Sequence, residues 1–394
     1  MAILAQNDPV ALNSAGMAAL REQRFADAAR AFEAAAKADP NATALWRNLA
    51  TARRALGDDR GEIAALDAAL DIDRRDFMAW LRKAEGHQRL GDEAEAFAAW
   101  QAVLQLSAHL DPLPEALVPV LAAGRAFCAE CASRIEYQVA EALGDFQVRM
   151  PSTAGRRARA FVDAAMGKRK IYVNECNGLC YPFLPADEFF EEAHFPWLAD
   201  FEACTDAIRD EMLAVLADPG DALRPYVRME KGAPQSKWTP LDRSLAWGAC
   251  FLWEYGKPND AVLARCPATA NALAAVPQSN IPGRAPTAFF SILKPRTHIP
   301  PHTGVTNTRA IVHLPLVVPD GCRFRVGGET REWQVGKAFA FDDTIEHEAW
   351  NDSDEMRAVL IFDVWNPHLT PEEQQVIAGY FAAADATGLN INQA

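Results

Sequence analysis

The sequence predicts a multidomain protein, with an all-α domain of helical repeats followed by an all-β domain that has flanking helices. Two observations carry this prediction: a 34-residue periodicity in the first hundred residues, and a series of short alternating segments between Ala288 and Pro367. The length of 394 residues agrees with it, since one hydrophobic core rarely spans so long a chain. We place the repeats at residues 1–110, a helical linker region at 111–179 and the β-domain at 180–394.

Composition and charge limit the class of protein. The chain carries 53 acidic against 39 basic residues, a formal net charge of -14, whereas broad nucleic-acid binding needs a basic surface. Half of its residues are hydrophobic, which is enough for a large buried core. We therefore expect a soluble acidic protein with no nucleic-acid partner.

Targeting signals and cysteine content bear on the compartment. Residues Met1 to Leu12 lack a basic stretch followed by an apolar one, so they do not resemble a secretory signal. No segment approaches the roughly 20 apolar residues that a membrane-spanning helix requires. Eight cysteines in a chain of this length are too few for a disulfide scaffold and favour a reducing compartment. We expect a cytoplasmic protein without a membrane partner.

The first hundred residues repeat with a period of 34. Trp46 and Trp80 stand one period apart, and so do Gly57 and Gly91, each of which follows a leucine. These features resemble tetratricopeptide repeats, helix-turn-helix units that stack side by side. The resemblance implies three repeats over about residues 10–108. Small residues that let paired helices approach closely recur at the same spacing, at Ala31, Ala65 and Ala99.

A stack of such repeats often presents a concave groove to a peptide or protein partner. No cluster of charge in this part of the sequence identifies a ligand. Two interpretations therefore stay open: a groove that binds a protein partner, or a structural spacer or self-association module.

Two close pairs of cysteines lie in the middle of the chain, Cys128 with Cys131 and Cys176 with Cys180. Four thiolates can hold a structural zinc ion, although the wider spacing of the second pair is less usual. The first pair falls in a predicted helix from about 115 to 143, where cysteines commonly pack as small hydrophobic side chains. We interpret the four thiols as buried or unpaired, with a zinc site as the alternative.

Between Ala288 and Pro367 the pattern changes to short strands separated by turns. Polar and apolar residues alternate from Arg309 to Leu316, as they do on a strand with one buried face. Many short strands at this spacing predict an all-β sandwich or barrel. The further predicted strands are Cys322–Val326, Lys337–Phe341, His347–Asn351 and Arg357–Trp365.

Five of the eight histidines lie in this β-region or just beyond it. Two of them, His302 and His347, are 45 residues apart, a spacing compatible with the two histidines of a non-haem iron site. Such sites usually add a carboxylate two residues after the first histidine, but Gly304 occupies that position. Asp342 and Asp343 could supply the carboxylate instead, or they could brace the loop before His347.

Three blocks of sequence around these histidines resemble the aspartyl/asparaginyl β-hydroxylase family: HIPPHTGVTN at 298–307, FDDTIEHEAW at 341–350 and FDVWNP at 362–367. Earlier segments follow the family's order, so the resemblance covers about residues 180–375. Members of this family hold iron with two histidines and have a glycine where the carboxylate would stand. The resemblance therefore implies a double-stranded β-helix, a jelly-roll and cupin-like fold, that uses Fe(II), 2-oxoglutarate and O2 to hydroxylate its substrate.

The resemblance also assigns roles to individual residues. His302 and His347 match the iron ligands. Arg357 and Ser291 match the residues that hold the distal carboxylate of 2-oxoglutarate, a task that suits a guanidinium because it can form two parallel hydrogen bonds to a carboxylate. His313 matches a histidine near the other end of 2-oxoglutarate.

Two neighbouring positions complete the predicted pocket. Arg309 and Ile311 share a strand face with His313, because side chains alternate along a strand, so Arg309 is expected to join the co-substrate pocket. Ile311 is a departure, since the best-known members of the family carry a second arginine there. Its presence removes a cation expected to meet the proximal carboxylate of 2-oxoglutarate or an acidic substrate, and Arg309 could compensate.

From the resemblance we expect hydroxylation of an aspartyl or asparaginyl side chain in a peptide, a protein or a small molecule. Ile311 keeps a second substrate class open, an unrelated small molecule or a lipid. A hypothesis from another class of protein is a non-catalytic repeat adaptor with a degenerate, metal-free β-domain. The intact His302, His347 and Arg357 disfavour it.

Overall fold

The computed structural model of the protein describes residues 8–149 and 152–388. The chain divides into two compact units, Met1–Met150 and Pro151–Ala394, and the predicted linker region at 111–179 spans the boundary between them. Most of the segment inspected for a secretory signal, residues 1–7, lies outside the described residues. No helix in the described part of the chain is long and apolar enough to cross a membrane.

The first unit begins with three helical hairpins, which confirm the predicted repeats. The first helices of the hairpins begin at Pro9, Thr43 and Phe77, each 34 residues after the one before, and the second helices follow the same spacing. The six helices are α1 (Pro9–Arg21), α2 (Phe25–Ala38), α3 (Thr43–Ala55), α4 (Asp59–Ile72), α5 (Phe77–Leu90) and α6 (Glu93–Ser107).

Residues that recur in the sequence make the same contacts in successive repeats. The indole nitrogens of Trp46 and Trp80 each donate to the backbone carbonyl six residues earlier, both at 2.9 Å. Gly57 and Gly91, in the turns inside the second and third hairpins, both have a φ of +73°. That left-handed conformation is open to glycine and strained for other residues. The period of the sequence is therefore the period of one structural unit used three times.

A longer helix, α7 (Leu117–Arg149), follows the repeats in the first unit, and the second unit begins with α8 (Ser152–Ala165). α7 packs closely on α6, because the indole of Trp100 lies over Gly124, where an added Cβ would be 2.3 Å from the ring. α7 begins two residues later than the predicted helix and extends six residues further.

The four cysteines singled out in the sequence are free thiols. Cys128 and Cys131 lie on α7 in the first unit, whereas Cys176 and Cys180 belong to the second unit. Among the described residues, no group of three or more His, Cys, Asp or Glu side chains is arranged to hold a metal ion.

The second unit is built on two antiparallel sheets, in agreement with the predicted double-stranded β-helix. Its strands are β1 (Leu223–Pro225), β2 (Trp247–Glu254), β3 (Lys257–Pro258), β4 (Ala288–Leu293), β5 (Thr297–His302), β6 (Arg309–Val317), β7 (Cys322–Val326), β8 (Glu329–Glu332), β9 (Phe339–Phe341), β10 (His347–Asn351) and β11 (Arg357–Trp365). The larger sheet has the order β1-β2-β4-β11-β6-β9 with β3 beside β2, and the smaller sheet has the order β5-β10-β7-β8.

The strands agree closely with the predicted ones. β7, β10 and β11 have the predicted bounds, and β9 starts two residues later than predicted. The segment from Leu198 to Ala217 is helical apart from a break at Ala203 and Cys204. The helices of the second unit after α8 are α9 (Leu198–Glu202), α10 (Thr205–Ala217), α11 (Asp260–Leu263), α12 (Pro267–Ala274) and α13 (Pro371–Ala386).

Side-chain alternation gives the larger sheet two buried faces. On one face, Leu360 of β11 and Phe290 of β4 share a cluster with Ile208 of α10. On the other face, the adjacent Val359 clusters with Phe324 of the smaller sheet. The second face therefore packs towards the smaller sheet, and the candidate site lies between the two.

Candidate active site

His302 and His347 are brought together by strand pairing. His302 is the last residue of β5 and His347 is the first residue of β10, and the two are directly paired in the antiparallel register. Their imidazole rings are 4.1 Å apart, measured between centroids. The register of two neighbouring strands thus places side chains 45 residues apart in the sequence at one point of the smaller sheet.

Both imidazoles are held in the form that binds a metal ion. The Nδ1 atom of His302 lies 2.8 Å from the carbonyl oxygen of Pro300, and Nδ1 of His347 lies 3.0 Å from that of Ile345. A carbonyl oxygen only accepts, so each Nδ1 carries the proton and each Nε2 keeps a free lone pair. Burial lowers the pKa of His302 to about 4 and lowers the pKa of His347 well below its usual value, so both rings are neutral near pH 7.

The carboxylate of Asp343 occupies the space that a side chain at position 304 would need. A Cβ added to Gly304 would lie 2.2 Å from the Asp343 carboxylate carbon. Asp343 is buried, and its Oδ1 atom has no hydrogen-bond partner among the described residues. Burial raises the pKa of this carboxyl group to about 7, although the nearby Arg309 opposes the shift. Gly304 is therefore required by the close approach of a second loop.

Asp342, the other acidic residue considered as a ligand, has a different environment. Its carboxylate accepts hydrogen bonds from the backbone amide of Thr344 at 3.0 Å, from the Thr344 hydroxyl at 2.6 Å and from the Asn174 side chain at 2.7 Å. These contacts brace the turn before His347. Neither aspartate completes a group of three metal-binding side chains with the two histidines in the described structure.

Arg357 is a buried cation that lacks an acidic partner. Only 1% of the residue is exposed, and no acidic side chain in the described part of the chain forms a salt bridge with it. Its Nη1 atom donates to the Ser291 hydroxyl at 3.3 Å, its Nε atom has no partner, and its guanidinium stacks over Trp333 at 4.6 Å. Burial lowers the pKa of Arg357 to about 10. An isolated buried charge is costly, so this geometry favours binding of an anion.

Ser291 links Arg357 to a tryptophan that sequence reasoning missed. Ser291 lies on β4, next to β11, and is fully buried. Its hydroxyl oxygen accepts a hydrogen bond from the Trp247 indole at 3.1 Å in addition to the one from Arg357. These two donors orient the hydroxyl, whose own proton is left to donate to a ligand. The sequence alone does not distinguish Trp247 from the other aromatic residues of the core.

His313 and Arg309, both on β6, have unlike surroundings. His313 lies among aromatic rings, its Nδ1 atom has no partner, and burial together with the charge of Arg357 lowers its pKa well below the usual value. Arg309 donates to the Asp363 carboxylate at 3.0 Å. Burial opposes the charged form of Arg309, but the neighbouring Asp343 and Asp363 outweigh it and raise its pKa.

A cavity of about 460 Å³ unites these groups between the sheets. All six predicted site residues line it: Ser291, His302, Arg309, His313, His347 and Arg357. Asp343 and Ile311 line it as well, together with aromatic residues that the sequence did not single out, namely Tyr226, Trp238, Trp247, Phe251, Phe289, Phe324 and Phe341. The predicted site residues therefore converge on one cavity.

Comparison with known proteins identifies the family. A profile of the family described as aspartyl/asparaginyl beta-hydroxylase matches residues 202–367. The ornithine lipid ester-linked acyl 2-hydroxylase of Rhizobium tropici is 36% identical over 200 residues, which cover 50% of this chain and 67% of that protein. The human aspartyl/asparaginyl beta-hydroxylase is 37% identical over 173 residues, which cover 43% of this chain and 21% of that protein.

Both of these relatives are named as hydroxylases. This chain belongs to the aspartyl/asparaginyl β-hydroxylase family, as its sequence blocks predict. It spans only about a fifth of the length of the human relative.

Helical-repeat structures are similar to part of the chain. The type III secretion chaperone SycD of Yersinia enterocolitica, in complex with a peptide of the translocator YopD, is 18% identical and covers 30% of this chain and 88% of its own, with a TM-score of 0.27. A tetratricopeptide repeat of Spaghetti bound to an HSP90 peptide is 18% identical and covers 32% of this chain and 95% of its own, with a TM-score of 0.28. At such TM-scores these similarities carry no conclusion about the partners of this chain.

Proposed function

We propose that the protein is an Fe(II)- and 2-oxoglutarate-dependent dioxygenase that hydroxylates its substrate. The observation that carries this proposal is Arg357, a fully buried cation that pairs with no acidic side chain of the described residues and lies in the cavity that also contains the two neutral histidines. A dicarboxylate that reaches from the histidines to this guanidinium would neutralise the buried charge.

The residues present fit both cofactors. Two imidazoles with free Nε2 lone pairs suit iron, and the carbonyls of Pro300 and Ile345 fix their orientation. When bound, Fe(II) with 2-oxoglutarate and O2 supplies the oxidising power that inserts one oxygen atom into a C–H bond. His302 and His347 would hold the metal ion.

The remaining polar groups position the co-substrate. Arg357 and the Ser291 hydroxyl bind its distal carboxylate, and Trp247 keeps the hydroxyl in place. The unpartnered Nδ1 of the buried His313 is a polar atom available to the rest of the molecule. The aromatic lining excludes water, which strengthens the ionic contact to Arg357.

An aspartyl or asparaginyl side chain is the first candidate substrate. Among the buried atoms of the cavity lining that lack a hydrogen-bond partner in the described structure are a donor, Nε of Arg309, and an acceptor, Oδ1 of Asp343. A carboxamide carries both an acceptor and a donor and would pair with both atoms. A carboxylate would pair with Arg309, and with Asp343 when that carboxyl group is protonated.

An acyl chain is the second candidate substrate, and Ile311 favours it. This side chain lines the cavity where an arginine was expected, and the neighbouring walls are apolar at Ile299, Phe289 and Ile361. The Rhizobium tropici relative is named for the 2-hydroxylation of an acyl chain. Both candidates share the same iron and co-substrate sites.

The helical repeats are proposed to bind a peptide or protein partner. The first helices of the hairpins carry half-buried and exposed polar groups that reach from one repeat to the next. Asn48 donates to Asn13 at 2.9 Å, and Arg82 donates to the Thr51 hydroxyl at 2.7 Å. Such groups can exchange these contacts for hydrogen bonds to a peptide backbone.

A cytoplasmic location stays a prediction.

Substrate-independent turnover of 2-oxoglutarate tests the proposal. Purified full-length protein with Fe(II), ascorbate and O2 should convert 2-oxoglutarate to succinate, and the variants His302→Ala and Arg357→Ala should not. His298→Ala is the matched control, because His298 lies on the same strand but pairs with Glu348 and does not line the cavity. Iron-loaded protein that forms no succinate, with or without candidate substrates, would refute the proposal. Addition of one oxygen atom to an asparaginyl peptide or to an acyl lipid then separates the two candidates.

A further inference from the structure

Cys176 and Cys180 lie on a loop that packs against the segment after His302. The loop comprises residues 175–181 and is called the cysteine loop below. The proposed hydroxylation uses neither thiol. Both thiols therefore lie on a loop that is attached to the segment following a candidate metal ligand.

Hydrogen bonds tie the cysteine loop to the segment that follows His302. The amide of Asn177 donates to the carbonyl of Gly304 at 3.0 Å, and the amide of Gly178 donates to that of Val305 at 2.8 Å. The Asn177 side chain donates to the carbonyl of Thr303 at 2.9 Å. A Cβ at Gly178 would lie 2.8 Å from the Val305 side chain, so the two backbones are in close contact. A change in the conformation of the cysteine loop will therefore alter its hydrogen bonds to residues 303–305.

The two thiols are neighbours with unequal exposure. Burial, followed by a hydrogen bond with the Cys180 thiol, raises the pKa of Cys176 to about 12. Cys176 is half-buried and also lies against the backbone N–H of Asn307, whereas Cys180 is exposed. A dissolved oxidant therefore reaches Cys180 first, and Cys176, which its raised pKa keeps protonated, can react next only by passing its proton to the departing glutathione. A disulfide requires Cα atoms within about 7 Å, and two cysteines four positions apart in a loop can meet this requirement.

We propose that Cys176 and Cys180 form a reversible disulfide that loosens the hydrogen bonds between the cysteine loop and residues 303–307. The oxidant is a small-molecule disulfide such as glutathione disulfide. The Cys180 thiolate attacks one sulfur of that molecule and expels one glutathione thiolate, which takes up the proton that Cys180 lost. Cys176 gives up its proton, attacks the sulfur of Cys180 in the mixed disulfide, and expels the second glutathione, which is protonated. Two cysteines are oxidised, and one glutathione disulfide is reduced to two glutathione molecules.

Bond formation changes the contacts of both sulfurs. The sulfur atoms must come from non-bonded contact to about 2.05 Å. Cys176 then moves from the N–H of Asn307, and Asn177, which lies between the cysteines, moves with the contracting loop. The structure thus links oxidation to residues 303–307 directly. A consequent loss of Fe(II) affinity rests on the proposed function.

Hydrogen exchange of the metal-free, full-length protein tests the link without iron or substrate. The protein is equilibrated in glutathione buffers from fully reduced to fully oxidised, and peptide mapping locates the disulfide. Oxidation should join Cys176 to Cys180 and make the amides of Asn177 and Gly178 exchange several-fold faster. Absence of this disulfide at every glutathione ratio would overturn the proposal, and so would a disulfide that leaves the exchange of 175–181 and 303–307 unchanged.

Two variants sharpen the test. Cys180→Ser replaces an exposed side chain, should fold normally and should make exchange at 303–307 insensitive to glutathione disulfide. Cys204→Ser is the matched control, because Cys204 is a half-buried thiol in the same unit that donates to the Asp200 carbonyl, and it should respond like the native protein. A Cys180→Ser protein that still responds to the oxidant would contradict the assignment.

Iron titration separates this inference from the proposed function. The reduced protein should bind Fe(II) several-fold more tightly than the oxidised protein. Absence of Fe(II) binding in both states would refute the proposed function, while the exchange experiment would still decide the redox link. Equal, measurable Fe(II) affinity in the reduced and oxidised proteins would show that the disulfide does not affect the metal site.

Discussion

The Nη1 atom of Arg357 lies 3.3 Å from the hydroxyl oxygen of Ser291, deep between the two sheets, and no acidic side chain of the described chain pairs with that guanidinium. A neutral hydroxyl cannot balance a buried positive charge. The free protein therefore retains an unfavourable buried charge that the carboxylate of the proposed co-substrate would relieve. Removal of the Arg357 charge should therefore raise the stability of the free protein and weaken binding of the carboxylate.

Replacement of Arg357 by methionine should stabilise the metal-free protein and strongly weaken its response to 2-oxoglutarate. The substitution removes the cost of the buried charge but also the partner of the distal carboxylate, a loss of about 2 kcal/mol or roughly thirtyfold in affinity. Thermal unfolding with and without 2-oxoglutarate measures both effects. A variant that 2-oxoglutarate stabilises as strongly as the native protein would show that Arg357 does not bind it. Ser291→Ala should weaken binding less.

Gly304 and Asp343 should show strong energetic coupling. Gly304→Ala places a methyl group against the Asp343 carboxylate and should lower the free energy of unfolding by about 1–3 kcal/mol. In an Asp343→Gly background the same methyl group has space, so the penalty should largely vanish. Urea unfolding of the four proteins gives the coupling energy. Additive effects would mean that the two residues do not compete for one space.

His313 should make the protein sensitive to acid. Burial and Arg357 depress its pKa in the folded state, so the stability associated with it is complete above the unfolded value near 6.5 and is lost as the pH falls below that value. His313→Phe should be well accommodated by the surrounding aromatic rings. Between pH 7 and 5, the free energy of unfolding should fall less steeply for this variant than for the native metal-free protein. Parallel pH profiles would show that His313 is protonated in the folded state.

Substitution of Ile311 should distinguish between the two candidate substrates. Ile311→Arg introduces a charge beside His313, and an acyl chain would have to be bound next to it. Hydroxylation of an acyl substrate should fall at least tenfold, or about 1.4 kcal/mol, whereas turnover of an acidic side chain should rise. Product mass with each substrate is the measurement, and Ile361→Val is the control for a mild change of the same wall. If Ile311→Arg leaves hydroxylation of the acyl substrate unchanged, the acyl chain does not bind beside position 311.

Local patterns predicted most of the fold. β10 and β11 have their predicted bounds because nearly all of their side chains are buried and turn residues stop each strand. The helical repeats followed from residues that make the same contact in each repeat, such as Trp46 and Trp80. The two histidines could be paired from the sequence because the family blocks carry them.

Side-chain contacts between segments that are distant in the sequence could not be predicted from it. Nothing in the pattern shows that Asp343 fills the space beside Gly304 or that Trp247 donates to Ser291. Both contacts depend on how segments about 40 residues apart pack, which neither alternation nor spacing encodes. The cysteine loop is a further case, since its attachment to residues 303–307 joins chain segments more than 120 positions apart.

The measurement that tests the central claim most directly is anaerobic addition of Fe(II) and then 2-oxoglutarate to the purified protein, followed by visible absorption. The account predicts a weak metal-to-ligand charge-transfer band that is absent in His302→Ala, weakened in Arg357→Ala and retained in His298→Ala. No band in the native protein, together with no bound iron, would contradict the account and leave a binding protein built on a hydroxylase fold.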